Sequence, residues 1–444
     1  MLSIISRIRS HLKDSNSSHR RIFYSFLWVG ILVFASRFLG LTKEIVLASR
    51  YGITAKLDAY ILIFNITNLP IGIIFIVLSM VLLPLITVKD DTSIIQVTRF
   101  RSEIFGLTIL FCITIAVAAY IGIPLLFNTR LIGFTGAALE NSRRIVAPLT
   151  MLIPIGILCS FFSTWLMAVG YHWNTLLEGV PALVILIFLL LPEGFISDPL
   201  TYGTVAGFIL QLLCLIYILY TSKNLGRPIF TLRSISWSIF WNGFVTVGIA
   251  QTLLTLTLLI DQIIATHLGV GAVSALSFAN RVVSILVSLG TLAIGRALLP
   301  IFSELATNNK FSLLINLAKF WAKLILIGGF AIVLLIWFFV PYIVKILFER
   351  GAFKINSTVL VSSIVRVMLF QIPFSFSAIV FQSVYASIKR YNIIIKCSLA
   401  SVLAKIITIT LFVKYFGIQG IAYSTDFMYI IFLLSYGVFI ISEH

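Results

Sequence analysis

Eleven of the charged residues inside the long apolar stretches of this 444-residue chain are candidates for chemistry: Arg37, Lys43, Glu44, Asp58, Glu178, Asp261, Arg281, Arg296, Arg366, Lys405 and Asp426. In a bilayer, a charge near the centre costs about 2.5–3.5 kcal/mol, so it turns toward protein or water. Eleven are too many and too deep for side chains that merely reach back to the interface. The cations Arg37, Lys43 and Arg281 could line a cavity and hold an anion. Guanidinium suits phosphate in particular, because its planar donors grip two oxygens at once. For Arg37 the structural alternative is an interhelical ion pair with Asp58. At about 100° per residue, Arg37 shares a helix face with Glu44 but not with Lys43, so a bend near Gly40 would be needed to bring both cations into one cavity. Lys43 and Glu44 could equally be interfacial anchors, and Arg296 reads as one. Asp261 and Lys405 offer a buried acid and a buried amine in one half of the chain. They read as a structural ion pair or as a proton or cation site that couples to transport. The sequence assigns no role to Glu178 or Asp426.

Other chemistries are excluded by what the chain lacks. The five histidines, His11, His19, His172, His267 and His444, are scattered. There is no GxxxxGK[ST] phosphate loop, GxSxG elbow or HExxH zinc motif, so the chain reads as no enzyme. Any active transport must then draw on an ion gradient or the membrane potential. Cys112, Cys159, Cys214 and Cys397 lie in apolar stretches without a CxxC pair, which indicates neither a disulfide framework nor a metal site.

The elements that must position these residues are membrane helices. Hydrophobic residues make up 60% of the chain and charged residues 11%, against about 25% charged in soluble domains. A spanning helix needs about 20 apolar residues. Twelve stretches qualify: 23–49, 57–87, 102–127, 144–169, 173–192, 200–221, 236–267, 271–303, 313–347, 357–387, 392–414 and 419–441. No soluble domain fits between them. The net charge of +17 reads as positive-inside loops and contact with anionic lipid rather than nucleic acid. Lys89, Arg99 and Arg101 follow span 2, Lys223, Arg227 and Arg233 follow span 6, and Lys389 and Arg390 follow span 10. Arg130, Arg143, Arg350 and Lys354 fall on the other side and weaken the asymmetry. The balance puts both termini in the cytoplasm. Residues 1–22 form a basic cytoplasmic tail with Leu2, Ile5, Ile8 and Leu12 on one helical face, and carry no cleavable signal pattern.

The chain also repeats. Gly52 and Pro84 recur as Gly269 and Pro300, Pro154 recurs as Pro373, and the spacing from Ala168 to Asn174 recurs from Ala386 to Asn392, all at offsets of 216 to 219. The expected fold is therefore an all-α polytopic membrane protein, with about twelve transmembrane helices in two parallel six-helix lobes around a central cavity. Its domains would be the tail 1–22, an N-lobe 23–222 and a C-lobe 223–444. Such repeats hold substrate between lobes that rock about it.

Several motifs resemble those of the MurJ/MviN lipid II flippases, within the MOP exporter superfamily. They are Ser36-Arg37-Phe38-Leu39-Gly40-Leu41 with Lys43-Glu44, Gly52 and Asp58-Ala59-Tyr60; Leu347-Phe348-Glu349-Arg350-Gly351-Ala352-Phe353; Ala275-Leu276 to Ala279-Asn280-Arg281 with Leu299-Pro300; and Arg144-Ile145 with Pro148. The resemblance runs in order from about 27 to 440. It implies a flippase that carries a polyprenyl-pyrophosphate-linked glycan across the bacterial cytoplasmic membrane by alternating access. Arg37, Lys43, Asp58 and Arg281 match the family's substrate-binding positions. The partners it implies are that anionic glycan lipid and anionic membrane lipids, for a monomer with no nucleic acid. It implies no cofactor beyond a coupling cation, H+ or Na+. Some members bind sodium between helices 7 and 11, the region of Asp261 and Lys405, and here the lysine ammonium could stand in for that metal.

Three features depart from the family pattern. The second span reads Asn68-Leu69-Pro70-Ile71-Gly72-Ile73, where the family usually has an arginine a few residues on. Asn280 replaces an aspartate. Twelve spans are read where fourteen are common. An exopolysaccharide or O-antigen unit is the alternative substrate. A MATE-like drug exporter and a non-transporting scaffold are the alternative classes.

Overall fold

The computed structural model describes residues 35–87, 94–129, 131–171, 174–192, 194–388 and 390–442. Among the described residues every regular element is a helix. The first, α1, covers 35–51. Then follow α2 (Ala55–Val77), a π-helical turn (Leu78–Leu82), α3 (Leu83–Ile86), α4 (Ile94–Leu126), α5 (Gly136–Thr150), α6 (Leu152–Ala168), α7 (Asn174–Leu177), α8 (Val180–Leu190) and α9 (Pro199–Thr221). The second half holds α10 (Trp237–Thr266), α11 (Ala272–Thr307), α12 (Phe311–Phe348), α13 (Ile355–Met368), α14 (Gln371–Ser387), α15 (Tyr391–Phe416) and α16 (Ile418–Ser442). The apolar runs dictate this outcome, because a helix satisfies all of its own backbone donors where no water can. Pro70, Pro124, Pro300 and Pro341 lie inside helices, a use of proline that membrane helices tolerate. Pro84 opens α3 at its first turn, where no donor is needed.

Nine helices among the described residues are long and apolar enough to cross a membrane. The other three expected spans take different forms. Span 1 (23–49) begins outside the described residues. Span 5 is divided into α7 and the 11-residue α8. Span 8 lies in α11, a 36-residue helix with shorter apolar windows at Ala272–Ser288 and Ala297–Thr307. The tail 1–22, the loop cations Lys89, Arg130 and Lys389, and His11, His19, His172 and His444 lie outside the described residues.

The chain gathers into two compact units. Within the described residues, one takes 35–46, 78–116 and 151–241. There α6 and α8 pack on α9. Its aromatic centre is Phe105, Phe161, Phe162 and Trp165, with Phe105 and Phe161 stacked at 5.6 Å. The second unit takes 47–77, 117–150 and 242–442. In it α14 packs on α11, α12 and α16, and α15 packs on α16. Phe302, Leu314, Ala318, Ala378, Val380 and Cys397 fill its core. The rings of Tyr385 and Tyr436 stack there at 5.7 Å.

Candidate functional site: helix-end ties, exposed cations and a buried ion pair

The second unit contains segments from both sequence halves, and polar contacts join them. Asp58, in the first turn of α2, is fully buried. Its two carboxylate oxygens accept from the backbone N–H groups of Gly271 and Ser274, the latter at 2.7 Å. Those donors belong to the start of α11, so the carboxylate caps the positive end of a 36-residue helix. A second tie is purely backbone: Ala352 N–H donates to the Ser49 carbonyl at 2.7 Å. Gly52 and Gly351 make this approach possible. Both have positive φ, at 58° and 57°. A Cβ on Gly351 would overlap the Ser49 carbonyl, and one on Gly52 would lie 2.6 Å from the Ala352 carbonyl oxygen. Only glycine tolerates both the torsion and the contact. A third tie links Gly133 N–H to Thr266 Oγ1 at 2.8 Å, beside His267 Nε2 and the Leu131 carbonyl at 3.1 Å. All three involve the helix ends that the loop charges assign to the outer side.

The expected cavity cations are distributed over the two units. In the first, Arg37 is an exposed side chain on α1. Glu178 lies within its electrostatic range. The two segments pack closely, since a Cβ on Gly179 would lie 3.1 Å from Ser36 Oγ. Lys43 and Glu44 pair with each other at 2.9 Å and are mostly buried. Arg281, in the second unit, is an exposed side chain on α11. Arg296 lies on the same helix, and its side chain is outside the described set. Arg366 is committed to Trp337, with its guanidinium carbon 4.3 Å from the ring centroid and Nε donating to the Trp337 carbonyl at 3.3 Å. This contact accounts for one deep arginine as a packing element.

The second unit also holds the ion pair expected from the sequence. Lys405 Nζ lies 2.7 Å from Asp261 Oδ2, and both side chains are buried, at 2% and 3% exposed. Asp426 on α16 lies within electrostatic range of Lys405 and accepts from the Gln371 N–H at the start of α14. Asp261 Oδ1 and Asp426 Oδ1 are buried without a hydrogen-bond partner. Among the described residues, no group of three or more His, Cys, Asp or Glu side chains is placed to hold a metal ion. The Lys405 ammonium neutralises Asp261 Oδ2, so the positive charge at this point of the core is supplied by a side chain.

A protein-family model described as lipid II flippase MurJ matches residues 47–440, the greater part of the chain. The chain belongs to the MurJ family. A relative from Buchnera aphidicola subsp. Baizongia pistaciae, named a probable lipid II flippase MurJ, is 22% identical over 422 residues, covering 90% of this chain and 80% of its own. Another of that name, from Bdellovibrio bacteriovorus, is 23% identical and covers 88% and 76%. The fold is similar to a solved lipid II flippase MurJ in an inward closed conformation, with a TM-score of 0.78 at 19% identity over 94% of this chain and 87% of that one. It is also similar to an inward-facing multidrug MATE transporter of the MOP superfamily, with a TM-score of 0.72 at 16% identity, over 92% and 96%. This MurJ-family chain is a multi-pass membrane protein with the all-helical fold of transporters.

The sequence found the charges and missed what surrounds them. Asp58, which matches a substrate-binding position of the family, has as partners backbone donors more than 200 residues away, which no side-chain pattern reveals. The repeated glycines at 52 and 269 were a partial signal, since both mark the junction. Glu178 and Asp426, without a role in the sequence reading, stand beside Arg37 and Lys405. Glu103 was not singled out at all, yet it is fully buried in a hydrogen-bond network.

Proposed function

We propose that this protein is a lipid II flippase of the bacterial cytoplasmic membrane, with both termini in the cytoplasm. The observation that carries this reading is membership of the MurJ family across 47–440. The relatives named above are probable lipid II flippases. Arg37, Lys43 and Arg281 are cations suited to a pyrophosphate, whose oxygens guanidinium grips in pairs. The polyprenyl tail would stay in lipid while the headgroup passes through protein, so that only the charged part needs a polar path.

Transport of this kind requires two states. The contacts of Asp58 with the start of α11, Ser49 with Ala352, and Gly133 with Thr266 hold one of them by joining the two sequence halves at the expected outer helix ends. Opening toward that side breaks a few hydrogen bonds and parts a glycine-lined backbone contact, a modest cost that binding or the membrane potential can offset. The Asp261–Lys405 pair is proposed to tie α10 to α15 with a built-in ammonium, so that no metal is needed there. Energy would come from the membrane potential or a proton gradient.

The test is substrate binding by the purified, folded protein, followed by native mass spectrometry. Lipid II should be retained by wild type and lost from Arg281→Gln. If wild type retains another undecaprenyl-linked glycan and not lipid II, the second reading gains. That reading is favoured by one observation, the uncharged 68–77 stretch of α2.

A further inference from the structure

The stretch between α9 and α10 joins the two sequence halves, and its composition is one-sided. From Ser222 to Trp241 it contains Lys223, Arg227 and Arg233 and no acidic residue. Five of its apolar side chains are turned outward, with Ile229 41% exposed, Phe230 63%, Leu232 59%, Ile235 83% and Ile239 63%, while Trp237 and Phe240 are buried. Lys223, Arg227 and Arg233 are exposed among them.

This outward orientation is imposed from the other side by one acid. The side chain of Glu103, at the start of the apolar run of α4, is fully buried. Its Oε1 accepts from Thr231 Oγ1 at 3.0 Å, Arg99 Nε at 3.2 Å and Arg233 N–H at 3.3 Å. Its Oε2 accepts from Trp237 Nε1 at 2.7 Å and Ser234 N–H at 3.1 Å. The Ile229 N–H adds a bond to the Ser102 carbonyl at 2.9 Å. Gly106 lets this strand of connector lie directly on α4, since a Cβ there would overlap the Ile229 carbonyl. Trp237 is buried against Phe100, edge-on at 5.2 Å. The Thr231 hydroxyl, the Ser234 amide and the Trp237 indole are therefore spent on α4, and Ile229, Phe230, Leu232, Ile235 and the three cations are left exposed.

We propose that residues 223–241 form a docking surface for the anionic phospholipid headgroups of the leaflet that the basic loops face. Two observations select a lipid surface over a protein partner. The connector carries three cations and no acid, which complements an anionic leaflet. It is also continuous on both sides with helices long enough to span, Pro199–Thr221 and Trp237–Thr266, so it stays at the depth of a bilayer interface. Apolar side chains interleaved with Lys and Arg are the composition of segments that lie in that plane. Glu103 is the positioning residue that presents them. The proposal goes beyond the substrate reading and does not depend on it.

The test is hydrogen–deuterium exchange of the full-length protein in nanodiscs of phosphatidylcholine, with and without phosphatidylglycerol. Peptides covering 226–236 should exchange more slowly in the anionic discs, and raising the salt concentration should shrink that difference. The double variant Arg227→Gln, Arg233→Gln should lose the difference while its transmembrane peptides exchange as in wild type. Glu103→Ala should speed exchange of the same peptides in both lipids. Equal exchange of wild type in the two lipids, or a difference that survives both salt and the double variant, would overturn the proposal.

Discussion

Replacing Asp58 with asparagine should shift the protein between its two states without unfolding it. Hydrogen bonds to a charged group contribute about 1.5–3 kcal/mol each, and Asp58 makes two to buried backbone donors at Gly271 and Ser274. A carboxylate at a helix N-terminus adds about 0.3–1 kcal/mol, rising to about 2 when partly buried. Asparagine keeps one acceptor oxygen, loses the charge and turns an amide donor toward donors. The net weakening of this tie is about 2–4 kcal/mol, counting roughly one charged hydrogen bond and the dipole contribution. Because each 1.4 kcal/mol is a factor of ten, the ratio of joined to parted ends should fall roughly 30- to 700-fold. Spin labels at Thr54 and Val270, both exposed beside the junction, would report it by double electron–electron resonance in a cysteine-free background. Wild type should give one short distance, and Asp58→Asn should add a substantial longer population. An unchanged distance distribution in a folded variant would refute the idea that Asp58 holds this end closed.

Asp261→Ala should lower thermal stability by about 3–5 kcal/mol, the cost of leaving a buried ammonium unpaired. Replacing the pair together, Asp261→Leu with Lys405→Met, should recover most of that loss in a melting experiment. Gly351→Ala should cost about 1–2 kcal/mol from its left-handed torsion alone, with more from overlap on the Ser49 carbonyl, and should weaken the same junction in the spin-label assay. Arg37→Gln and Arg281→Gln should each abolish transport in proteoliposomes while leaving membrane insertion and melting temperature near wild type. Normal transport by both would contradict a cation-lined path.

How far the sequence reached depends on the range of each interaction. The spans follow from local composition, so most expected helices are found within a few residues, as with 200–221 and α9 at Pro199–Thr221. Span 5 was harder, because Gly179 and Pro181 divide its apolar run into α7 and α8. The Asp261–Lys405 pair was legible because two opposite charges deep in lipid have few other solutions. The ties at Asp58, Ser49 and Gly133 were not legible. Their partners are backbone groups, present in every residue and selected only by how the chain returns on itself. Glu103 was hidden for a related reason. An acid one turn after Arg99 reads as part of a charged helix end, and its decisive donors lie about 130 residues away.

The central claim is that this protein moves lipid II across a bilayer. It is tested most directly by reconstituting the full-length protein into liposomes containing fluorescent lipid II and measuring how fast the label becomes accessible on the opposite face. The account predicts movement well above the protein-free rate in wild type and at the protein-free rate in Arg281→Gln. Lipid II that moves no faster with the folded wild-type protein than without it would contradict the claim.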